Sequence, residues 1–200
     1  RRFNMKTYEL KDIPTYLINL PEATDRLAKS TECLNKINQP FQVAKGVQHE
    51  QGIVGCGIAH YNALMAATAP CLILEDDIAL TDHTLSSFSV SEDVDALYLG
   101  VSNHGYVRKR NVGIMDAVMA SRWDWNYKRV FNMCAAHAVV YLSDRYLKRA
   151  REITAWCLQN NVAWDLGISA IHKDFNIITP NDPMFFQSEQ PHNTKFSLEV

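Results

Sequence analysis

The chain has no C-x-x-C pair, no N-x-S/T sequon, no apolar run long enough to cross a bilayer and no marked excess of either charge. Each absence removes a class of protein. Without paired cysteines there is neither a zinc knuckle nor a disulfide framework to read. The five cysteines, Cys33, Cys56, Cys71, Cys134 and Cys157, are odd in number and mostly lie in apolar patterns. That pattern reads as buried free thiols in a reducing compartment. Cys56 and His60 are four apart and meet on one helix face, but no second ligand pair accompanies them, so core packing is preferred to zinc. A formal net charge of -2 indicates neither a nucleic-acid partner nor a membrane-surface protein. The one basic run, Arg108-Lys109-Arg110, is short and local. No signal-peptide pattern and no transmembrane segment are seen, so a cytoplasmic protein is expected. No repeat, low-complexity block or linker divides the 200 residues, which fit one domain with a real core.

What the chain does have is punctuated apolar runs. Thr15 to Leu20 reads as a strand stopped by Pro21. Thr24 or Asp25 then caps a helix carrying Leu27, Thr31, Leu34 and Ile37, and Phe41 to Ala44 forms the next strand. This β-α-β opening predicts parallel strands joined by a right-handed crossover. Gly52, Gly55 and Gly57 read as a loop before a second helix, which Pro70 ends. Strands are expected at Cys71–Leu74, Ala96–Leu99, Ala135–Leu142 and Phe175–Ile178. Ser143 caps a helix with Leu147, Ala150, Thr154 and Cys157 on its apolar face, and a shorter helix runs from Trp164 to His172. Residues 102–130 mix glycine, basic and aromatic residues without steady period, as an acceptor-side or lid segment does. Within it, Trp123, Trp125 and Tyr127 alternate like one face of a strand. The polar stretch after Pro180 reads as a surface wrap.

The most informative segment is Leu72-Ile73-Leu74-Glu75-Asp76-Asp77, a buried strand that ends in three carboxylates. Adjacent acids repel one another and resist burial, so they require a cation or strong donors nearby. The carboxyl end of a strand is also where open α/β sheets bind ligands. Carboxylates there can hold a divalent metal that works on phosphate oxygens. The competing reading is an acidic turn facing water.

Several segments in order resemble the family 25 glycosyltransferases. Tyr16-Leu17-Ile18-Asn19-Leu20 with Asp25-Arg26-Leu27 resembles the family's "INL…R" opening, and Gly55 to His60 its "GCalSH" motif. Leu72 to Asp77 resembles "lilEDD", and Leu97 to Gly100 "lylG". His137-Ala138, ahead of Leu142-Ser143, resembles "GTHAYlIS". Asp165 resembles a later family aspartate, and Pro183 with Gln187 the closing "P…Q". Ala59 stands where the family usually has serine, and Ala135-Ala136 replaces glycine-threonine. The resemblance implies a GT-A type α/β fold: one Rossmann-like nucleotide-binding sheet with helices on both faces. It implies a UDP-sugar donor carrying galactose or glucose, inversion at the anomeric carbon, and a glycan or protein hydroxyl as acceptor.

Under that resemblance, Asp77 is the first choice and Asp76 the second for holding Mn2+ or Mg2+. Glu75 bonds to backbone or donor ribose. Asp165, beside Trp164 at a helix start, is the candidate general base, or else simply charges that helix start. Asn19 lines the nucleotide cleft. Arg26 either reaches the uridine or a phosphate, or is solvated in the first helical turn. His60 either meets a donor phosphate or packs. His137 is a metal ligand, an acceptor contact or a satisfied core histidine. Trp123 and Trp125 offer stacking faces for an acceptor sugar, or belong to a core or hinge. A nucleotidyltransferase would need a phosphate-cradling glycine loop with a basic residue near the first strand, and Pro21-Glu22 stands there instead. A degenerate binding module that keeps the fold without turnover is the other alternative.

Overall fold

The structure is a computed structural model that describes residues 4–109, 112–188 and 198. In chain order its strands begin with β1 (Met5–Glu9), β2 (Thr15–Asn19), β3 (Gln42–Lys45), β4 (Cys71–Glu75), β5 (Ile78–Leu80), β6 (Ser87–Ser91) and β7 (Ala96–Tyr98). They continue with β8 (His104–Lys109), β9 (Val112–Ala117), β10 (Ala120–Arg122), β11 (Tyr127–Val130), β12 (Ala138–Tyr141), β13 (Ile177–Pro180) and β14 (Phe185–Gln187). The helices are α1 (Thr24–Lys36), α2 (Gly52–Ala66), α3 (Asp144–Gln159) and α4 (Trp164–Ile171). Eight strands form one mixed sheet in the order β10-β11-β13-β7-β12-β4-β2-β3. The β2-α1-β3 unit is parallel as its sequence requires, and β4 lies parallel on the other side of β2. β12 then runs antiparallel between β4 and β7.

The central strands are continuous apolar runs because both sheet faces are covered. Alternation sends Leu17, Leu72, Leu74, Leu97, Val140 and Ile178 to one face, under α1 with its Cys33 and Leu34. Ile18, Ile73, Tyr98, Val139, Tyr141 and Ile177 go to the other, under α2, α3 and α4. Helices thus lie on both faces of an α/β sheet, as expected.

Several local expectations are corrected. Gly52, Gly55 and Gly57 lie inside α2, not in a loop before it. Close packing explains two of them: a Cβ at Gly55 would stand 2.4 Å from the Val47 carbonyl oxygen, and one at Gly57 would meet Trp164 and Leu158 at 3.1–3.3 Å. Thr24 does not cap α1; Ala23 precedes the helix without a side-chain bond. Ser143 does cap α3, accepting from the Tyr146 amide at 3.2 Å. Residues 102–130 are not irregular: they carry the β8–β9 hairpin, β10 and β11. Arg110, last of the basic run, lies outside the described residues. Trp123 and Trp125 sit in the turn between β10 and β11, not on a strand, because Asp124 Oδ1 accepts from the Asn126 and Tyr127 amides at 2.7 and 3.0 Å. The stretch after Pro180 is no surface wrap throughout, since Met184 and Phe185 are fully buried and β14 pairs with β5.

Asp95 ties the far end of the sheet together. Its carboxylate accepts from Ser143 Oγ at 2.6 Å, from the Arg145 guanidinium at 2.7 Å and from the Asn176 amide at 2.9 Å. Asp95→Ala leaves a buried amide and the capping hydroxyl short of partners. We expect a loss of roughly 3 kcal/mol, read as a lower urea midpoint with an unchanged slope.

Candidate functional site

The carboxyl ends of β2 and β4 and the start of the antiparallel β12 meet at one edge of the sheet. Topology therefore brings Asn19, Glu75 and His137 together. Hydrogen bonds then organise the three acids. Glu75 Oε1 pairs with His60 Nε2 at 2.9 Å, and Glu75 Oε2 accepts from Gln187 Nε2 at 2.9 Å. Asp76 accepts from Asn19 Nδ2 at 2.7 Å and from Arg26 at 3.1 Å, while its carbonyl accepts from Ser30 Oγ at 2.6 Å. Asp77 lies 3.5 Å from Arg26, and both of its carboxylate oxygens lie 3.0 Å from Gln187 Nε2. Its carbonyl accepts from the Ser188 amide at 3.0 Å.

Beside this edge lies a cleft of about 590 Å³, lined among others by Gly52, Cys56, Glu75, Trp164, Asp165 and Gln187. The first turns of α2 and α4 both open on it, and the first turn of α2 carries no acidic residue. Trp164 stacks on the fully buried His60 with ring centres 3.9 Å apart, which fixes the imidazole against Glu75.

The acids do not share their charge evenly. Burial pushes Glu75 up, but the His60 bond and the positive groups around it outweigh burial, so its carboxyl sits below the ordinary range. Burial, aided by the Glu75 charge, pushes Asp77 up to about 6 despite Gln187 and Arg26. Burial likewise raises Asp165, with the Leu166 amide, 2.9 Å from its Oδ1, opposing and the Glu75 charge adding. His137 is driven down to about 4 by burial, against weaker upward pulls from Glu75 and the Phe185 backbone. Neither of its ring nitrogens has a well-formed hydrogen bond.

The structure thus joins Asn19, Arg26, His60, Glu75, Asp76 and Asp77 in one network, with Asp165 across the cleft from Glu75. Both carboxylate oxygens of Asp76 are held by side-chain donors from β2 and α1, and neither Asp76 nor Asp77 is among the residues that line the cleft. Arg26 is neither simply solvated nor free to reach a ligand unaided, because its guanidinium spans Asp76 and Asp77. His137 lies buried behind Ala136, which lines the cleft, and does not line it itself. Trp123 and Trp125 stand apart from the cleft. Trp123 packs on the α1 face of the core, and Trp125 is 82% exposed under the Arg122 guanidinium. Residue-by-residue reading missed Ser30, Ser188 and the central place of Gln187. Gln187 was visible only through the "P…Q" resemblance, since its contact comes from the β14–β5 pairing more than a hundred residues on in the chain.

No protein-family model and no curated protein matches the chain. Among solved structures it is similar to the CTP:phosphocholine cytidylyltransferase of Streptococcus pneumoniae, with a TM-score of 0.47 and 6% sequence identity. The likeness covers 90% of this chain and 94% of that one.

A stability prediction follows from Asp77. Its folded carboxyl holds a proton up to about pH 6, whereas the unfolded one releases it near 3.8. The folded state therefore binds more protons in that window, and stability falls as pH rises through it. Asp77→Asn cannot ionise. We expect it to raise stability by about 2 kcal/mol above pH 6, with the gain shrinking toward pH 4. Thermal melts of both proteins across this range check the sign.

Proposed function

We propose that the chain is a metal-dependent, inverting hexosyltransferase of the family 25 type, built on a GT-A nucleotide-binding sheet. It moves galactose or glucose from a UDP-sugar to a hydroxyl of a glycan or protein. The observation that carries this reading is the meeting of three carboxylate oxygens on one point. Glu75 Oε2 and both oxygens of Asp77 lie 2.9–3.0 Å from Gln187 Nε2. An amide nitrogen has two protons and cannot serve three acceptors well. Hard oxygen donors converging in this way fit Mn2+ or Mg2+, which Asp77 and Glu75 would hold. When bound, such an ion supplies Lewis-acid charge for a departing diphosphate.

The chain's own residues support the remaining roles. His60 orients Glu75 by its 2.9 Å bond. The N-terminal end of α2 lines the cleft through Gly52 and Ile53, and the positive end of a helix suits an anionic diphosphate. Asp165 lines the same cleft with a raised pKa and an Oδ1 fixed by the Leu166 amide. A carboxylate made more basic by burial is suited to take the acceptor hydroxyl proton as the glycosidic bond forms. Trp164, its neighbour in the chain, lines the same cleft and stacks on His60.

A second reading, a nucleotide-sugar-binding module without turnover, is favoured by one contact. Arg26 already lends a positive charge to Asp76 and Asp77.

One assay separates the two. The protein is incubated with Mn2+ and individual nucleotide sugars, and release of nucleoside diphosphate is followed. A transferase releases it from one UDP-hexose, Asp77→Ala abolishes release, and Asp165→Asn lowers kcat by roughly 10²–10⁴ while leaving donor binding intact. Thermal stabilisation by UDP without release supports the binding module. Indifference to every nucleotide sinks both.

A further inference from the structure

The cleft holds a second constellation, which shares Glu75 and His60 with the transferase reading and adds Cys56 to them. Cys56 and His60 lie four residues apart on α2 and so share one helix face. Glu75 comes to them from the end of β4. The ligand atoms of these three side chains all lie within 4.8 Å of one another. His60 is fully buried and immobilised by Trp164, yet its Nδ1 has no hydrogen-bond partner. Cys56 and Glu75 both line the cleft, so the cluster has an entry path and an open side.

We propose that Cys56, His60 and Glu75 form a three-ligand site for a thiophilic dication, Zn2+ first, with its fourth position open to the cleft. The donor set of one sulfur, one imidazole nitrogen and one carboxylate oxygen is that of zinc and cobalt, not of magnesium or calcium. Tetrahedral bonds to such ligands hold donor atoms roughly 3.3–3.6 Å apart, so side-chain rotation of Cys56 and Glu75 toward a fixed His60 closes the site. The carboxylates of Glu75, Asp165 and Asp77 around Cys56 supply negative charge that attracts a dication. Binding replaces the thiol proton, which leaves to water, with a metal–sulfur bond and involves no change of oxidation state. The site is distinguished from the transferase reading by Cys56 in place of Asp77, although both draw on Glu75 and His60.

Co2+ is the probe, because a thiolate ligand gives it a charge-transfer band in the near ultraviolet. Wild-type protein titrated with Co2+ should develop that band together with tetrahedral ligand-field bands, and Zn2+ should displace both. Cys56→Ser should remove the near-ultraviolet band, and Glu75→Gln should weaken Co2+ binding by roughly tenfold or more. Cys134→Ser, which alters the other cleft cysteine, should keep the band. Asp77→Asn should keep it too, even where it abolishes Mn2+ binding or turnover, so failure of the transferase reading leaves this result intact. No band at saturating Co2+, a band that survives Cys56→Ser, or one lost with Cys134→Ser overturns the proposal. Should Cys56→Ser fail to fold, alkylation of the wild type decides: Zn2+ must shield Cys56 from iodoacetamide, and equal labelling with and without Zn2+ overturns the site.

Discussion

Three consecutive carboxylates at the end of a strand covered on both faces set the terms for this edge of the molecule. Charges so close, and so far from bulk water, require compensation that backbone alone cannot supply. The chain answers with donors of different kinds from separate segments. Asn19 comes from β2, Arg26 and Ser30 from α1, His60 from α2, and Gln187 from β14. The acids are differentiated by the same means: Glu75 keeps its charge beside His60, Asp76 is locked by two side chains, and Asp77 is left under-compensated and basic.

The division of labour explains why the two candidate metal chemistries sit side by side without merging. Asp77, bridged by the Gln187 amide, lies on the β14 side of Glu75 and offers carboxylate oxygen. Cys56 and His60 face its α2 side and offer sulfur and nitrogen. Glu75, with one oxygen turned each way, is the hinge between a hard and a soft environment.

Much of the scaffold was legible because local signals and tertiary demands agreed. The β2-α1-β3 unit, the Leu72–Leu74 run and the Ser143 cap each carry their own periodicity or capping chemistry. The failures are equally specific. Gly52, Gly55 and Gly57 read as a loop because glycine usually marks one, whereas here two of them let α2 approach Val47, Trp164 and Leu158. The Trp123–Tyr127 alternation imitated a strand until the Asp124 side chain turned it. The candidate acids were visible in sequence, but their partners were not. Arg26, Gln187 and Ser188 reach them through contacts fixed by sheet order, and spacing along the chain carries no trace of sheet order. The same limit hid Glu75 as the third member of the Cys56–His60 cluster.

The pairing of β14 with β5 has a consequence for biogenesis. Gln187 and Ser188 clasp an acid more than a hundred residues upstream, so the clasp cannot form until that late segment has left the ribosome. Until then the acids have the partners that precede Gln187 in the chain, among them Asn19, Arg26 and His60.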